Sequence, residues 1–493
     1  MKQLKICYVS SEVVPFAKTG GLADVAGALP IAHKEMGHDV RLMMPNYKSI
    51  NERKFVLREV IRLREVKVEL NQQVKMANGK TAFLPNSKVH VYFLSIPEYF
   101  DRKDLYVDSK TKKEFRDNAE RFAFFSMSVL NTLKLLYWQP DIIHCNEWQT
   151  ALIPFYLKTY FKDDPFFKNT RTVLSLHNLA YQGLFPIEKA SHIGISNEFH
   201  LPKSEFEFFG KLNLLKGGIL FADVINTVSE QYAEEISSSS EYGFGLEKIL
   251  ASRKKDLYGI LNGVDYSIWS PDSDSNIPVQ FDVRSLNRKE ENKEALCEKC
   301  GLKHDPDIPV IGIISRLVDQ KGFDLISEVF DKLMKLKIQL VLLGEGDPKY
   351  HEKFKKLAKK YSKKFAVNLK FDNTLAHLIE AGSDIFLMPS KFEPCGLNQI
   401  YSLRYGTVPV VRETGGLKDT ISNYDRKTGK GNGFTFKKYD AKEMLRAVNT
   451  AVEMFQDKKT WIKIQKNGMR ADFSWDASAK KYLKLYEKAL KKK

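Results

Sequence analysis

The sequence predicts an α/β protein built as two halves, each around a parallel sheet. Three observations predict it. Apolar strand-like runs alternate with segments of helical spacing along the whole chain. At 493 residues the chain is too long for one core, which makes two domains the expectation. A six-residue phrase also occurs twice: Thr19-Gly20-Gly21-Leu22-Ala23-Asp24 is echoed by Thr414-Gly415-Gly416-Leu417-Lys418-Asp419. Each copy follows an apolar run and opens a helical pattern, with Leu22, Val25, Ala26 and Leu29 on one face in the first. A glycine pair there lets the chain turn tightly and a ligand approach amides at a helix start.

In order along the chain, the apolar runs predict strands at Lys5–Val9, Val40–Met44, Val89–Leu94, Asp141–His144 and Thr172–Leu176 in the first half. In the second half they predict strands at Pro309–Ile314, Gln339–Leu343, Val367–Phe371, Asp384–Met388 and Thr407–Val411. Charged stretches at Arg62–Lys80 and Arg102–Asp117 read as a hairpin and a loop inserted in the first half. Tyr266–Asn287 is polar and carries Pro271 and Pro278, which places a domain junction there. The expected domains are therefore residues 1–265 and 266–475. Beyond them Tyr482, Leu485, Tyr486, Ala489 and Leu490 form an amphipathic stripe, so a helix over about 476–493 is expected to pack back on the first domain.

Hydrophobic content of 43% and aromatic content of 12% are those of a globular protein. No apolar run approaches the roughly 20 residues that span a bilayer, and the first strand begins almost at once, so a cytoplasmic protein without membrane contact is expected. The net charge is +17, from 78 basic and 61 acidic residues. The lysines are dispersed, and no arginine-rich arm or zinc-finger spacing accompanies them, which argues against a nucleic-acid partner. Five cysteines with no export signal read as reduced thiols. Cys297-Glu298-Lys299-Cys300 lacks the second ligand pair a zinc site needs, so no metal site is expected.

In open parallel sheets ligands lie beyond the carboxyl ends of the strands. The polar residues at those ends include Lys18, His144, Glu147, His177, Asn262, Arg316, Lys321 and Glu393. No GxGxxG opens the first strand-turn-helix, which disfavours a nicotinamide or flavin enzyme, and no Walker A lysine occurs. Arg316 and Lys321 share one loop and are suited to clamp a diphosphate. Glu393 precedes a proline and is placed to present its carboxylate to a sugar. The amides of Cys395, Gly396 and Leu397 would follow at a helix start, facing an anion. His144 reads as a core or wall histidine rather than a catalyst.

Five motifs then occur in order: Lys18-Thr19-Gly20-Gly21-Leu22; His177-Asn178-Leu179-Ala180-Tyr181-Gln182-Gly183; Leu261-Asn262-Gly263-Val264-Asp265; Ser315-Arg316-Leu317 with Lys321-Gly322; and Phe392-Glu393-Pro394-Cys395-Gly396-Leu397. Together with Asp472-Phe473-Ser474-Trp475 they resemble the bacterial glycogen synthase and plant starch synthase family over essentially the whole chain. The resemblance implies two facing Rossmann-like domains (GT-B) with the active site in the cleft. It also implies an ADP-glucose donor, an α-1,4-glucan acceptor such as glycogen or starch, retention of configuration, and no cofactor or required metal.

Residue by residue, the resemblance puts Lys18 and Gly21 near the donor phosphates and acceptor subsite, and Asp24 against the nucleotide sugar. His177 would face the glucosyl C6 hydroxyl and Asn262 the sugar hydroxyls. Phe371 would stack on adenine, and Cys395, Gly396 and Leu397 would offer amides to the donor. Glu393, His177, Arg316 and Lys321 would carry the chemistry. Thr414, Gly415 and Gly416 would lie in the nucleotide-holding domain, placed to receive the diphosphate. Retention is compatible with front-face attack or with double displacement through a carboxylate. Asn398, Glu147 and Gln149 depart from the family's usual Thr, Asp and His, and Tyr401 stands where many related transferases carry a second glutamate. A related transferase with another donor or acceptor, or an inactive glucan-binding homologue, is the alternative.

Overall fold

The computed structural model describes residues 2–492. The chain divides into two compact units: the first runs to Val228 and includes Ala233–Gly263 and the segment from Trp475, and the second holds Ser229–Tyr232 and Val264–Ser474.

The first unit is organised by β1 (Lys5–Val9), β2 (Asp39–Pro45), β3 (Arg58–Glu59), β4 (Val66–Leu70), β5 (Gln73–Phe83), β6 (His90–Ser95), β7 (Ile142–Asn146) and β8 (Arg171–Leu176). A small antiparallel sheet of β9 (Leu184–Pro186), β10 (Glu207–Phe208) and β11 (Lys211–Asn213) precedes β12 (Val224–Thr227) and β13 (Leu257–Gly259). The main sheet has the order β13-β12-β8-β7-β1-β2-β6-β5-β3. It is parallel from β13 to β6 and turns antiparallel at β5. The strand order reverses between β1 and β7, so the chain segments leaving those two strands flank the unit's topological switch point.

Burial follows the parallel pattern, with β7 buried at every position; strands covered on both faces read as unbroken apolar runs, which is why they are legible. Arg62–Lys80 does hold a hairpin, since β4 pairs antiparallel with β5.

Helix α1 (Gly21–Glu35) follows β1, and α2 (Asn118–Leu135) precedes β7. The last helix of the chain, Trp475–Leu490, closes the first unit. Its Tyr486 hydroxyl lies 2.7 Å from the Tyr8 hydroxyl on β1 and 2.8 Å from His144 Nδ1 on β7. His33 Nε2–H donates to the Ala479 carbonyl at 3.0 Å. His144 is thus a core residue: its other nitrogen meets Ser175 Oγ at 2.6 Å, and burial holds its pKa well below the usual histidine range.

The second unit holds β14 (Val310–Ile314), β15 (Gln339–Leu343), β16 (Phe365–Asn368), β17 (Ile385–Met388), β18 (Val408–Arg412) and β19 (Phe434–Phe436). All are parallel, in the order β16-β15-β14-β17-β18-β19. Counted from its own first strand this is 3-2-1-4-5-6, the doubly wound dinucleotide-fold order, with its switch point between β14 and β17. The strand expected at Val367–Phe371 instead ends at Asn368 on the sheet edge. Phe371 lies beyond it in a loop, 84% exposed.

Candidate active site

At the second unit's switch point the residues leaving β14 and β17 enclose a cavity of about 210 Å³. Arg316 and Lys321 come from the first connection, and Glu393, Gly396, Leu397 and Asn398 from the second. Gly322 has φ of +77°, and a Cβ there would stand 2.1 Å from the Pro389 carbonyl oxygen. Only glycine allows that approach of the two loops. The Lys391 N–H donates to the Gln320 carbonyl at 2.8 Å, and Gln320 Nε2 to the Phe392 carbonyl at 3.2 Å. The loops are therefore stitched into one wall.

On that wall the Lys321 ammonium donates to Glu393 Oε2 at 2.5 Å, and Ser390 Oγ donates to the same oxygen at 3.1 Å. Glu393 is only 7% exposed, and a carboxylate so buried requires such a partner. Arg316 is exposed and its guanidinium has no hydrogen-bond or ion-pair partner among the described residues, leaving its five donors for a ligand. Asn398 Nδ2 donates to the Ile314 carbonyl at 2.8 Å, which ties the start of the helix Asn398–Arg404 to β14.

The cavity thus carries a free guanidinium, a shared ammonium and a carboxylate, the set that binds a phosphorylated sugar. A model of the starch synthase catalytic domain matches residues 5–252, and one of group 1 glycosyl transferases matches 298–468. The chain is 47% identical to a glycogen synthase of Koribacter versatilis, covering 99% of this chain and 98% of that one. It is also 47% identical to a glycogen synthase of Thermotoga petrophila, covering 99% of each. The catalytic domain of starch synthase IV from Arabidopsis thaliana, solved with ADP and acarbose, superposes with a TM-score of 0.87 at 32% identity, over 99% of this chain and 100% of that one. The chain belongs to the glycogen and starch synthase family. It is a glycosyltransferase with the GT-B fold of that family and functions as a glycogen or starch synthase.

The two Gly-Gly copies of this synthase are physically unlike. In the first, Lys18, Thr19, Gly20 and Gly21 are exposed, and the Lys18 ammonium pairs with Asp24 at 2.7 Å. In the second, Thr414, Gly415 and Gly416 are buried. The Gly416 N–H is already donated to the Glu393 and Pro394 carbonyls, both at 3.1 Å. A Cβ at Gly415 would meet the Glu393 carbonyl oxygen at 2.0 Å, and one at Gly416 the Cys395 carbonyl oxygen at 2.0 Å. Of the copy expected to receive the diphosphate, the Gly416 amide is thus already engaged, and the glycine pair is the bed on which the Glu393–Cys395 backbone lies. Cys395 itself is buried, and its carbonyl accepts from Gln399 Nε2, whereas Gly396 and Leu397 reach the cavity. Phe371 is not among the cavity's lining residues.

In the first unit, His177 follows β8 and its Nε2 lies 2.9 Å from Asn146 Oδ1. Asn146 Nδ2 donates to the Val9 carbonyl at 3.0 Å, which turns Oδ1 toward the histidine. The imidazole proton is therefore on Nε2 and Nδ1 is an acceptor. Burial lowers the His177 pKa to about 4, so the ring is neutral near pH 7. Asn262 is buried, and its Oδ1 has no hydrogen-bond partner among the described residues. A buried amide oxygen left open in this way suits a ligand hydroxyl.

Several supporting residues carry no sequence signal. Arg412, at the end of β18, donates to the carbonyls of Ser390 (2.8 Å) and Lys391 and so fixes the loop before Glu393. Glu12 and Tyr106 act on the first Gly-Gly loop. Tyr401 is a packing residue, its ring stacked on Trp269 at 4.3 Å with His377 on that indole's other contact at 3.8 Å.

Proposed function

We propose that the enzyme transfers glucose from ADP-glucose to the non-reducing end of an α-1,4-glucan, with retention and release of ADP. The observation that carries this reading is the Lys321–Glu393 pair beside the unpaired Arg316 at the second unit's switch point. The ADP and acarbose bound to the related Arabidopsis catalytic domain support a nucleoside diphosphate and a glucan-like ligand.

In this reading Arg316 and Lys321 hold the diphosphate. As the bond between the anomeric carbon and the β-phosphate oxygen breaks, charge builds on that oxygen, and preorganised cations stabilise it without reorganisation. These fixed charges supply what a divalent ion would otherwise supply, so turnover is proposed to need no metal. The acceptor 4-hydroxyl attacks from the face the phosphate leaves, and its proton departs with the phosphate. Glu393, already ion-paired through Oε2, acts on the glucosyl ring by charge and position rather than as a covalent nucleophile. His177 Nδ1 and Asn262 Oδ1 accept from sugar hydroxyls, and Phe371 offers an exposed face to adenine.

The test is incorporation of labelled glucose into glycogen from ADP-glucose and from UDP-glucose, with and without EDTA. Incorporation from ADP-glucose that EDTA leaves unchanged, into product cleaved by an α-1,4-specific glucosidase, is expected. Equal or better use of UDP-glucose would overturn the donor assignment.

A further inference from the structure

At the first unit's switch point two acidic side chains lie close enough to influence one another: Glu12, after β1, and Glu147, after β7. Neither has a part in the transfer described above, and each holds a different loop, Thr19–Gly20 or His177–Asn178.

Glu12 is only 4% exposed and accepts from four donors. Oε1 takes the Thr19 hydroxyl at 2.6 Å and the Tyr106 hydroxyl at 2.8 Å. Oε2 takes the Thr19 N–H and, at 3.2 Å, the Gly20 N–H. Four donors on one carboxyl match its ionised form, which accepts only. The exposed Lys18–Gly21 loop is thereby fixed from beneath, at the start of α1, whose cap residue Gly20 has no side chain to do so.

Glu147 is arranged in the opposite sense. Oε1 accepts the His177 N–H at 2.5 Å and the Asn178 N–H at 3.0 Å, whereas Oε2 is buried with no hydrogen-bond partner among the described residues. No ion pair reaches this carboxyl among the described residues. A buried carboxylate with one naked oxygen and another carboxylate nearby is strongly disfavoured. A carboxylic acid with Oε1 as its carbonyl keeps both backbone contacts and leaves no uncompensated charge in the buried site. Burial first, with the Glu12 charge adding to it, pushes its pKa up to about 8. The residue also holds φ of +61°, a costly backbone region for any residue with a side chain, as seen at functional positions. Its own N–H is anchored on the Ser175 carbonyl at 3.0 Å. Backbone and side chain together staple the end of β7 to the His177–Asn178 turn.

We propose that Glu12 and Glu147 are a matched pair of positioning residues. Glu12 holds the Lys18–Gly21 loop as an ionised acceptor, and Glu147 holds the His177–Asn178 turn as a neutral acid. The consequence for catalysis rests on the synthase reading given above; the two clamps themselves do not.

At Glu147 an amide reproduces the neutral acid, an acceptor oxygen beside a donor. At Glu12 a glutamine can keep its oxygen on the two amides and turn its N–H₂ to the Thr19 and Tyr106 hydroxyls, which also accept, so methionine is the variant that removes that clamp. E147M and E12M keep the length and remove the acceptor. For both, kcat for transfer from ADP-glucose to glycogen is expected to fall roughly tenfold to a hundredfold, the size of one or two lost buried hydrogen bonds. E147Q is expected to rescue E147M to within about threefold of the parent enzyme.

Hydrogen–deuterium exchange supplies a readout independent of turnover. E147M should speed exchange of the His177 and Asn178 amides and E147Q should not, while E12M should speed Thr19 and Gly20 alone. If E147Q loses as much activity as E147M, or leaves the 177–178 amides equally open, the neutral-acid clamp is wrong. If E12M leaves the 19–20 amides protected, the Glu12 clamp is wrong. An enzyme inactive with ADP-glucose sinks the donor assignment alone, because the exchange pattern still decides the clamps.

Discussion

The Lys321 ammonium and Glu393 Oε2, 72 positions apart in the chain, meet at 2.5 Å on the wall of the second unit's cavity. Each supports the other's burial, because removing either leaves a charge away from bulk water without its counter-charge. K321A and E393Q are each expected to lower kcat roughly 10²- to 10³-fold, as for loss of one preorganised electrostatic contact. The double variant should lose much less than the product of the two, since the first removal already breaks the pair. Steady-state kinetics on the four proteins checks this, and full multiplicative loss would show that they act separately.

Among the described residues the Arg316 guanidinium has no side-chain partner to lose. R316A should therefore leave the melting temperature unchanged while weakening ADP binding about tenfold or more, the cost of a charge-assisted contact. Calorimetric titration with ADP reads it directly. A stable variant with parental affinity would remove Arg316 from the diphosphate site.

The two Gly-Gly copies predict opposite responses to a methyl group. At Gly20 an added Cβ meets nothing within 4 Å, and at Gly416 it meets the Cys395 carbonyl at 2.0 Å. G20A should change thermal stability little. G416A should cost about 1–3 kcal/mol by overpacking. Differential scanning calorimetry distinguishes them.

Y486F removes the hydroxyl shared by Tyr8 and His144 in a fully buried network. A loss of about 1–3 kcal/mol is expected, because polar partners are left unmet. Urea unfolding followed by a probe in the first unit measures it.

Stability should also fall as pH drops through the window from about 6.5 to about 4. Burial lowers the pKa of both His33 and His177 from 6.5 to about 4. Within that window the unfolded chain binds protons that the folded chain refuses, so unfolding gains. Glu147 works in the other direction: with its pKa raised to about 8, the folded chain holds a proton the unfolded chain has released, and stability declines as pH rises from about 4.5 to 8. H33Q should flatten the acid limb of a melting-temperature profile and E147Q the neutral limb.

The parallel strands were legible because both faces are covered, so their apolar runs are unbroken. Phe371 was misplaced onto a strand because an edge strand needs fewer apolar residues, and Phe365–Asn368 blends into the following loop. Glu393, Lys321 and Arg316 were legible as polar residues at strand ends, a position that topology makes chemical. Glu12 and Glu147 were not read as a pair, because the hydrogen bonds that give them meaning join segments from separate strands. The second Gly-Gly showed the limit of a motif: identical residues turn an open loop in one copy and bed a neighbouring backbone in the other. Nothing local distinguishes a glycine needed for a ligand from one needed for a carbonyl.

The last helix has a consequence for biosynthesis. Residues that complete the first unit, Tyr482 and Tyr486 among them, leave the ribosome after the entire second unit has been made. Until then Tyr8, His33 and His144 lack their covering partners, and a polar cluster meant for the interior stands open to solvent. Domains ordinarily fold in the order of their synthesis. Here the first unit to begin is the last to be finished, so the chain must carry an unclosed N-terminal sheet through the translation of more than two hundred residues.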